Sequence, residues 1–270
     1  MPAVQLSKLT AQIELLLPLW EQPDLFLAQL TDLLEYHADH LYQAADQVLT
    51  TPTLPIYRVP AIILRTLERA LIHQTLNSPE AGSQLAEILW RHGYAETHQL
   101  AAAMMGSLPP PFHPAVIEQI SSWKGLDLPS SHAAELIEMA TRQIRSTSLP
   151  AWLAALETWL DSNDPNSRLL ALQALLSLIQ DERFENLPFI FRLIRPLIQS
   201  PPDPVVPDLA SILHHLAIRS PGEATFFFRQ AISGSPSPKT LRLLRRSLPS
   251  LPDSARASLT PLLRDSEPPK

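Results

Sequence analysis

The chain has no cysteine, few glycines and little lysine, and each shortage removes a class of function. Without cysteine among 270 residues, disulfides, thiolate metal sites and a cysteine nucleophile are all excluded. Six glycines against 28 prolines argue against the Gly-rich loops that cradle phosphates, and no nucleophile elbow, Walker motif or dinucleotide fingerprint is present. No uninterrupted apolar run approaches the roughly 20 residues that cross a bilayer, and the first residues lack a basic region followed by a short apolar core. The expectation is a folded cytoplasmic protein without membrane contact.

Metal chemistry finds equally little support. His37 and His40 stand three apart on a helical stretch without a third ligand at suitable spacing, and the adjacent His214 and His215 point to different faces. The run Asp161-Ser162-Asn163-Asp164-Pro165-Asn166 has the look of a calcium loop. It lacks the glycine at the sixth position and the acid at the twelfth, where Leu172 stands. An interhelical turn with a cap before Pro165 accounts for it. No metal and no cofactor are expected.

What the chain has in abundance is proline at helix-sized intervals. Pro150 and Pro165, Pro188 and Pro204, and Pro221 and Pro236 form three pairs with a nearly constant offset between their members, and the pairs themselves follow one another at a similar spacing. Proline has no N–H and a fixed φ, so it fits a first helical turn and marks a start. Pro114 and Pro129 carry the same offset back to the region of His113. Between the prolines, apolar residues keep helical spacing, as in Leu169, Leu172, Leu176 and Ile179, or Leu209, Ile212, Leu213 and Leu216. A helix of about four turns cannot hide such a stripe alone, so neighbouring pairs must stack and share a core.

The fold expected is all-α, a right-handed α-solenoid of HEAT-like helical pairs with about 14 helices. It is read as one domain over residues 1–265, with an atypical helical cap over 1–50, the clearest repeats over 113–250 and a polar tail over 266–270. The net charge is −6, but it is unevenly spread. Residues 1–50 hold seven acids and one base, Lys8, whereas residues 205–250 hold six bases and two acids, Asp208 and Glu223. Lys239, Arg242, Arg245 and Arg246 fall in one short helical stretch of that basic end.

The most informative local pattern is Ser121-Ser122-Trp123-Lys124-Gly125-Leu126-Asp127, at a break between helices. From the residues alone, Trp123 is a core or interface aromatic and Asp127 a cap ahead of Leu128-Pro129. The stretch also resembles the bacterial DNA alkylation repair family, alkylpurine DNA glycosylases built from HEAT-like repeats, in which a short S-W segment and W-x-x-x-D supply an aromatic and an aspartate to the lesion site. Leu89-Trp90 through His98-Gln99-Leu100-Ala101-Ala102-Ala103-Met104 is similar to the family's helix pair ending in QAAALDIM. Trp159-Leu160-Asp161-Ser162-Asn163, followed by Arg168, looks like its next repeat with a one-residue offset. Where a later repeat of the family carries a second site tryptophan, Ser211 stands beside Ile212.

The resemblance implies a concave surface that holds duplex DNA by its backbone. It places Trp123 against the deoxyribose of a cationic alkylated nucleotide, Asp127 where it stabilises charge developing on the sugar, and Arg168 on phosphate. Arg242, Arg245 and Arg246 are further candidates for phosphate contacts. A leaving group that is already cationic needs little acid catalysis, so a carboxylate and an aromatic face supply most of the electrostatic help. The rival expectation is a noncatalytic scaffold that takes a protein partner on its concave face.

Overall fold

The computed structural model describes residues 6–38, 54–123, 130–234 and 236–266. These residues form fifteen α-helices, and no strand occurs among them. Contacts divide the chain into two compact units, residues 1–122 with 126–152 and residues 123–125 with 153–270.

The first unit holds α1 (Leu6–Leu16), α2 (Pro23–Tyr36), α3 (Ala61–Asn77), α4 (Pro79–His92), α5 (Ala95–Met105), α6 (His113–Ser121), α7 (Ser130–Ala140) and α8 (Arg142–Thr147). Helices α3, α5 and α7 pack side by side in one row, with α2 and α4 paired beside it. The second unit continues from the latter part of α9 (Leu149–Asp161) through α10 (Pro165–Gln180), α11 (Leu187–Gln199), α12 (Val206–Arg219), α13 (Pro221–Ser233), α14 (Pro238–Ser247) and α15 (Asp253–Asp265). Here α10, α12 and α14 form one row, and α11, α13 and α15 form the other.

Most helix starts follow the expected chemistry. Asp164 accepts hydrogen bonds from the Asn166 and Ser167 N–H groups at 3.1 and 3.2 Å, and Pro165 follows it. Asn186 and Ser237 cap α11 and α14 in the same way. Gly93 ends α4 at φ 81°, a left-handed conformation that a side chain would strain. The proline signal fails where a turn intervenes. Pro204 lies in a 3-10 turn, so α12 begins at Val206, and Pro236 precedes the first residue of α14 by two. Ser78 occupies the N-cap position of α4 but makes no side-chain bond there.

Two helices lose the one-sided apolar pattern, and for α5 the reason is that α3 and α7 flank it on either side. Residues 170–179 of α10 are all buried, and in α5 every residue from Glu96 to Met105 is buried except Gln99. Hydroxyls that fall inside bond back to the carbonyl four residues earlier, as Thr75 does to Leu71 and Thr141 to Ile137. Small residues permit close approach at the end of α5. A Cβ on Gly106 would stand 1.9 Å from the Met139 carbonyl oxygen.

Several long-range polar contacts span 35 or 36 residues. Tyr57 meets His92, His113 meets Ser148, and Arg195 donates to Gln230, each across 35 residues. Across 36 residues, His214 meets Ser250 and Lys239 pairs with Asp203. Arg219 makes the most extensive link. Its guanidinium donates to the carbonyls of Ile179, Asp181, Glu182 and Phe184 at 2.5, 3.0, 3.3 and 2.9 Å, closing the C-terminus of α10 where the helix dipole favours a cation.

Two consequences are measurable. Gly106→Ala forces the α5 terminus away from Met139 and should destabilise the fold by about 3 kcal/mol, read as a lower urea midpoint. His98 is buried, stacks on Trp90 with centroids 3.9 Å apart and donates from Nε2 to the Trp90 carbonyl at 2.8 Å. Burial, with a smaller contribution from His132, holds its pKa below the ordinary 6.5 although the bond to Trp90 opposes this. Below the ordinary value the unfolded chain takes up a proton that the folded site resists. Stability should therefore be level above about pH 7 and fall as pH drops toward about 5. His98→Phe, which keeps the stack, should flatten that fall in urea titrations; an unchanged fall would assign it to other histidines.

Candidate nucleic-acid interface

The expected site residues that the structure describes lie after α6, at the start of α10 and on α14. Trp123 follows α6 directly and is 4% exposed, a buried aromatic, and its contacts group it with the second unit. Asp127 lies outside the described residues. Arg168 sits in the first turns of α10, just past the Asp164 cap, in the same unit as Trp123.

Arg168 lines a cleft of about 250 Å³ with Leu160, Asp161, Leu193, Leu197 and Ser200. Its Nε is buried and has no hydrogen-bond partner among the described residues. No ion pair joins it to Asp161 among those residues either. A guanidinium with an unengaged edge in a partly apolar cleft suits a planar or tetrahedral oxyanion that accepts two parallel N–H bonds. The turn that brings it there is fixed twice, by the Asp164 cap and by the Ser167 hydroxyl, which donates to the same carboxylate at 2.7 Å.

The face of α12 that meets solvent carries Ser211, His214 and Ile218. Ser211 is half-buried and brings no aromatic surface. His214 bonds through Nδ1 to the Ser250 hydroxyl at 2.6 Å, and His215 is held below the ordinary histidine range by burial and then by His214. On α14 the three arginines separate. Arg242 and Arg246 are exposed, one helical turn apart, and Arg242 leans along its own helix toward the Pro238 carbonyl at 3.4 Å. Arg245 turns the other way and donates to the Leu263 carbonyl of α15 at 3.0 Å.

A family model described as DNA alkylation repair enzyme matches residues 33–240. The chain belongs to that family. The match begins inside α2, contains Trp123, Asp127 and Arg168, and ends at Thr240, just before Arg242. No curated protein and no solved structure matches the chain. The family therefore covers the turn at Trp123 and the Arg168 cleft, while the arginines of α14 stand just beyond it.

Sequence spacing could not show that Leu193 and Leu197 close the cleft around Arg168, because they belong to the following helix and carry no polar signal. It also missed Arg219, whose role depends on carbonyls far upstream, the most distant of them 40 residues away at Ile179. No helix among the described residues is long and apolar enough to cross a membrane, and no group of three potential metal ligands occurs among them.

The two kinds of α14 arginine should respond differently to truncation. Arg245→Ala should cost about 1–2 kcal/mol because it leaves the end of α15 without its donor, whereas Arg246→Ala should stay within about 0.5 kcal/mol of the natural protein. Urea denaturation of the two variants measures both.

Proposed function

We propose that this chain is a DNA-binding alkylpurine glycosylase that hydrolyses the N-glycosidic bond of N3- or N7-alkylated purines. The family match across residues 33–240 carries the reading. The unengaged edge of Arg168 in its cleft supports it, because that group has the chemistry to hold a phosphate. The architecture proposed is a single right-handed solenoid of HEAT-like pairs, supported by polar contacts that recur every 35 or 36 residues.

In this reading the alkylated base leaves with the electrons of the glycosidic bond, so a cationic purine departs neutral. Positive charge moves to the sugar, where Asp127 stabilises it and positions the water that adds to the anomeric carbon. Trp123 supplies an apolar face to the deoxyribose, and Arg168 holds a neighbouring phosphate. Arg242 and Arg246 are the α14 side chains with guanidiniums directed to solvent for further phosphate contacts; Arg245 is engaged within the fold.

One observation favours a second reading. Trp123 is buried and Ser211 offers no aromatic wall, which suits a noncatalytic scaffold that retains the family's frame and binds a protein partner.

Release of N3- and N7-methylpurines from methylated duplex DNA decides between them. Asp127→Asn should lower release by about 10²- to 10³-fold while the fold persists. Arg168→Ala should weaken DNA binding and make its salt dependence shallower by about 0.9 in the log–log slope, the share of one phosphate. No release and no salt-sensitive binding by the natural protein would leave the scaffold reading.

A further inference from the structure

A second set of cations lies in the first unit. Helix α3 exposes Ile62, Arg65, Arg69, His73 and Leu76. At about 100° per residue these positions fall within roughly a quarter to a third of the helix circumference. Successive positions Arg65, Arg69 and His73 are about 6 Å apart along the axis. Arg58, also exposed, stands just before α3 begins.

The segment that carries Arg58 is held in an uncommon way. Glu96 is 5% exposed, and its carboxylate accepts the N–H groups of Tyr57, Arg58 and Val59 at 3.0, 2.7 and 3.4 Å. The Tyr57 ring stacks on Tyr94 with centroids 4.1 Å apart, and its hydroxyl meets His92 Nε2 at 2.8 Å. Between these anchors Arg58 adopts φ 63°, the one left-handed non-glycine residue among those described. An arginine there is disfavoured relative to glycine. The surrounding contacts fix the strained backbone and leave the guanidinium in solvent.

Among the described residues, the carboxylates closest in sequence or contact are engaged elsewhere. Glu96 points into the clamp, Glu68 lies off the exposed arc and accepts from Gln99 Nε2 at 2.5 Å, and Glu35 acts on Tyr57 from α2. Among the described residues none pairs with Arg58, Arg65 or Arg69. In a chain of net charge −6, three exposed arginines close in sequence have no carboxylate partner among the described residues.

We infer that Arg58, Arg65 and Arg69 form a phosphate-binding stripe that grips the backbone of duplex DNA, with Arg58 aimed by the Glu96 clamp. The inference rests on the DNA-binding reading and adds a contact surface to it. Duplex DNA fits because each strand offers a charge about every 3.4 Å of axis, so one strand can serve guanidiniums spaced along a helix. Such contacts position the protein without reading sequence.

The test uses the full chain and a fluorescently labelled, lesion-free duplex of about 20 base pairs, the scale of a specific protein–DNA site, with binding followed over a salt titration. Replacing the stripe with Arg58→Gln, Arg65→Gln and Arg69→Gln together should make the log–log slope shallower by about 2–3 and weaken binding near 0.1 M salt on the order of 10²-fold. The double variant Arg65→Gln with Arg69→Gln, on an exposed helix face, should show about two-thirds of the slope change. Arg58→Gly should raise the urea midpoint by relieving the backbone while still removing one phosphate from the slope. An unchanged slope in the double variant, with the natural protein binding normally, overturns the stripe and leaves the DNA reading standing. Absence of salt-sensitive binding by the natural protein overturns the DNA reading and the stripe with it. Loss of binding to phosphatidylserine vesicles in the triple variant, with its DNA slope unchanged, overturns the stripe as a DNA site in favour of a membrane surface.

Discussion

Several helices in this chain are tied to groups 35 or 36 residues further along. Tyr57 reaches His92, His113 reaches Ser148, Arg195 reaches Gln230 and Lys239 reaches back to Asp203, all across 35 or 36 residues. Apolar burial drives the helices together, but it is non-directional and tolerates sliding. Hydrogen bonds at a fixed interval do not tolerate it, because a slip of one residue would separate every donor from its acceptor. Where such links occur, they fix the register of the helices they join.

Helix starts were legible in the sequence because their causes are local. Asp164 caps α10 and Pro165 follows it, so a few residues contain the whole reason for that boundary. The exceptions are also instructive. Pro204 and Pro236 look the same in sequence as the other prolines, but each precedes its helix by a short turn, and nothing in their neighbours reveals that. Helix α10 reads as a single-stripe helix when only Leu169, Leu172, Leu176 and Ile179 are counted, yet residues 170–179 are all buried. In α5 the burial comes from its place between α3 and α7.

The site was less legible, since an arginine's task is set by what lies opposite it. Arg245 and Arg246 are neighbours of the same type. One is tied to the Leu263 carbonyl and the other meets solvent, because a step of one residue turns the side chain by about 100°. Arg183, Arg192 and Arg256 are engaged by Asp181, Glu157 and Asp253. A count of basic residues therefore overstates what a polyanion can use, and the acidic net charge understates it. The relevant quantity is the number of guanidiniums left without an internal acceptor, and sequence composition does not contain that number. The resemblance at Trp123, by contrast, was visible because the family pattern there is contiguous, and the family match encloses it.

The Arg219 link to the end of α10 has a consequence for synthesis. A chain emerging from the ribosome makes α10 long before it makes Arg219, since the Ile179 carbonyl that the guanidinium holds lies 40 residues earlier. During that interval the terminal carbonyls of α10 have only water as a partner, and at elongation rates of about 5–20 residues per second it lasts for seconds. The C-terminal half of the molecule consequently matures in arrears. A product truncated before Arg219 would carry an α10 whose C-terminal carbonyls never meet that guanidinium.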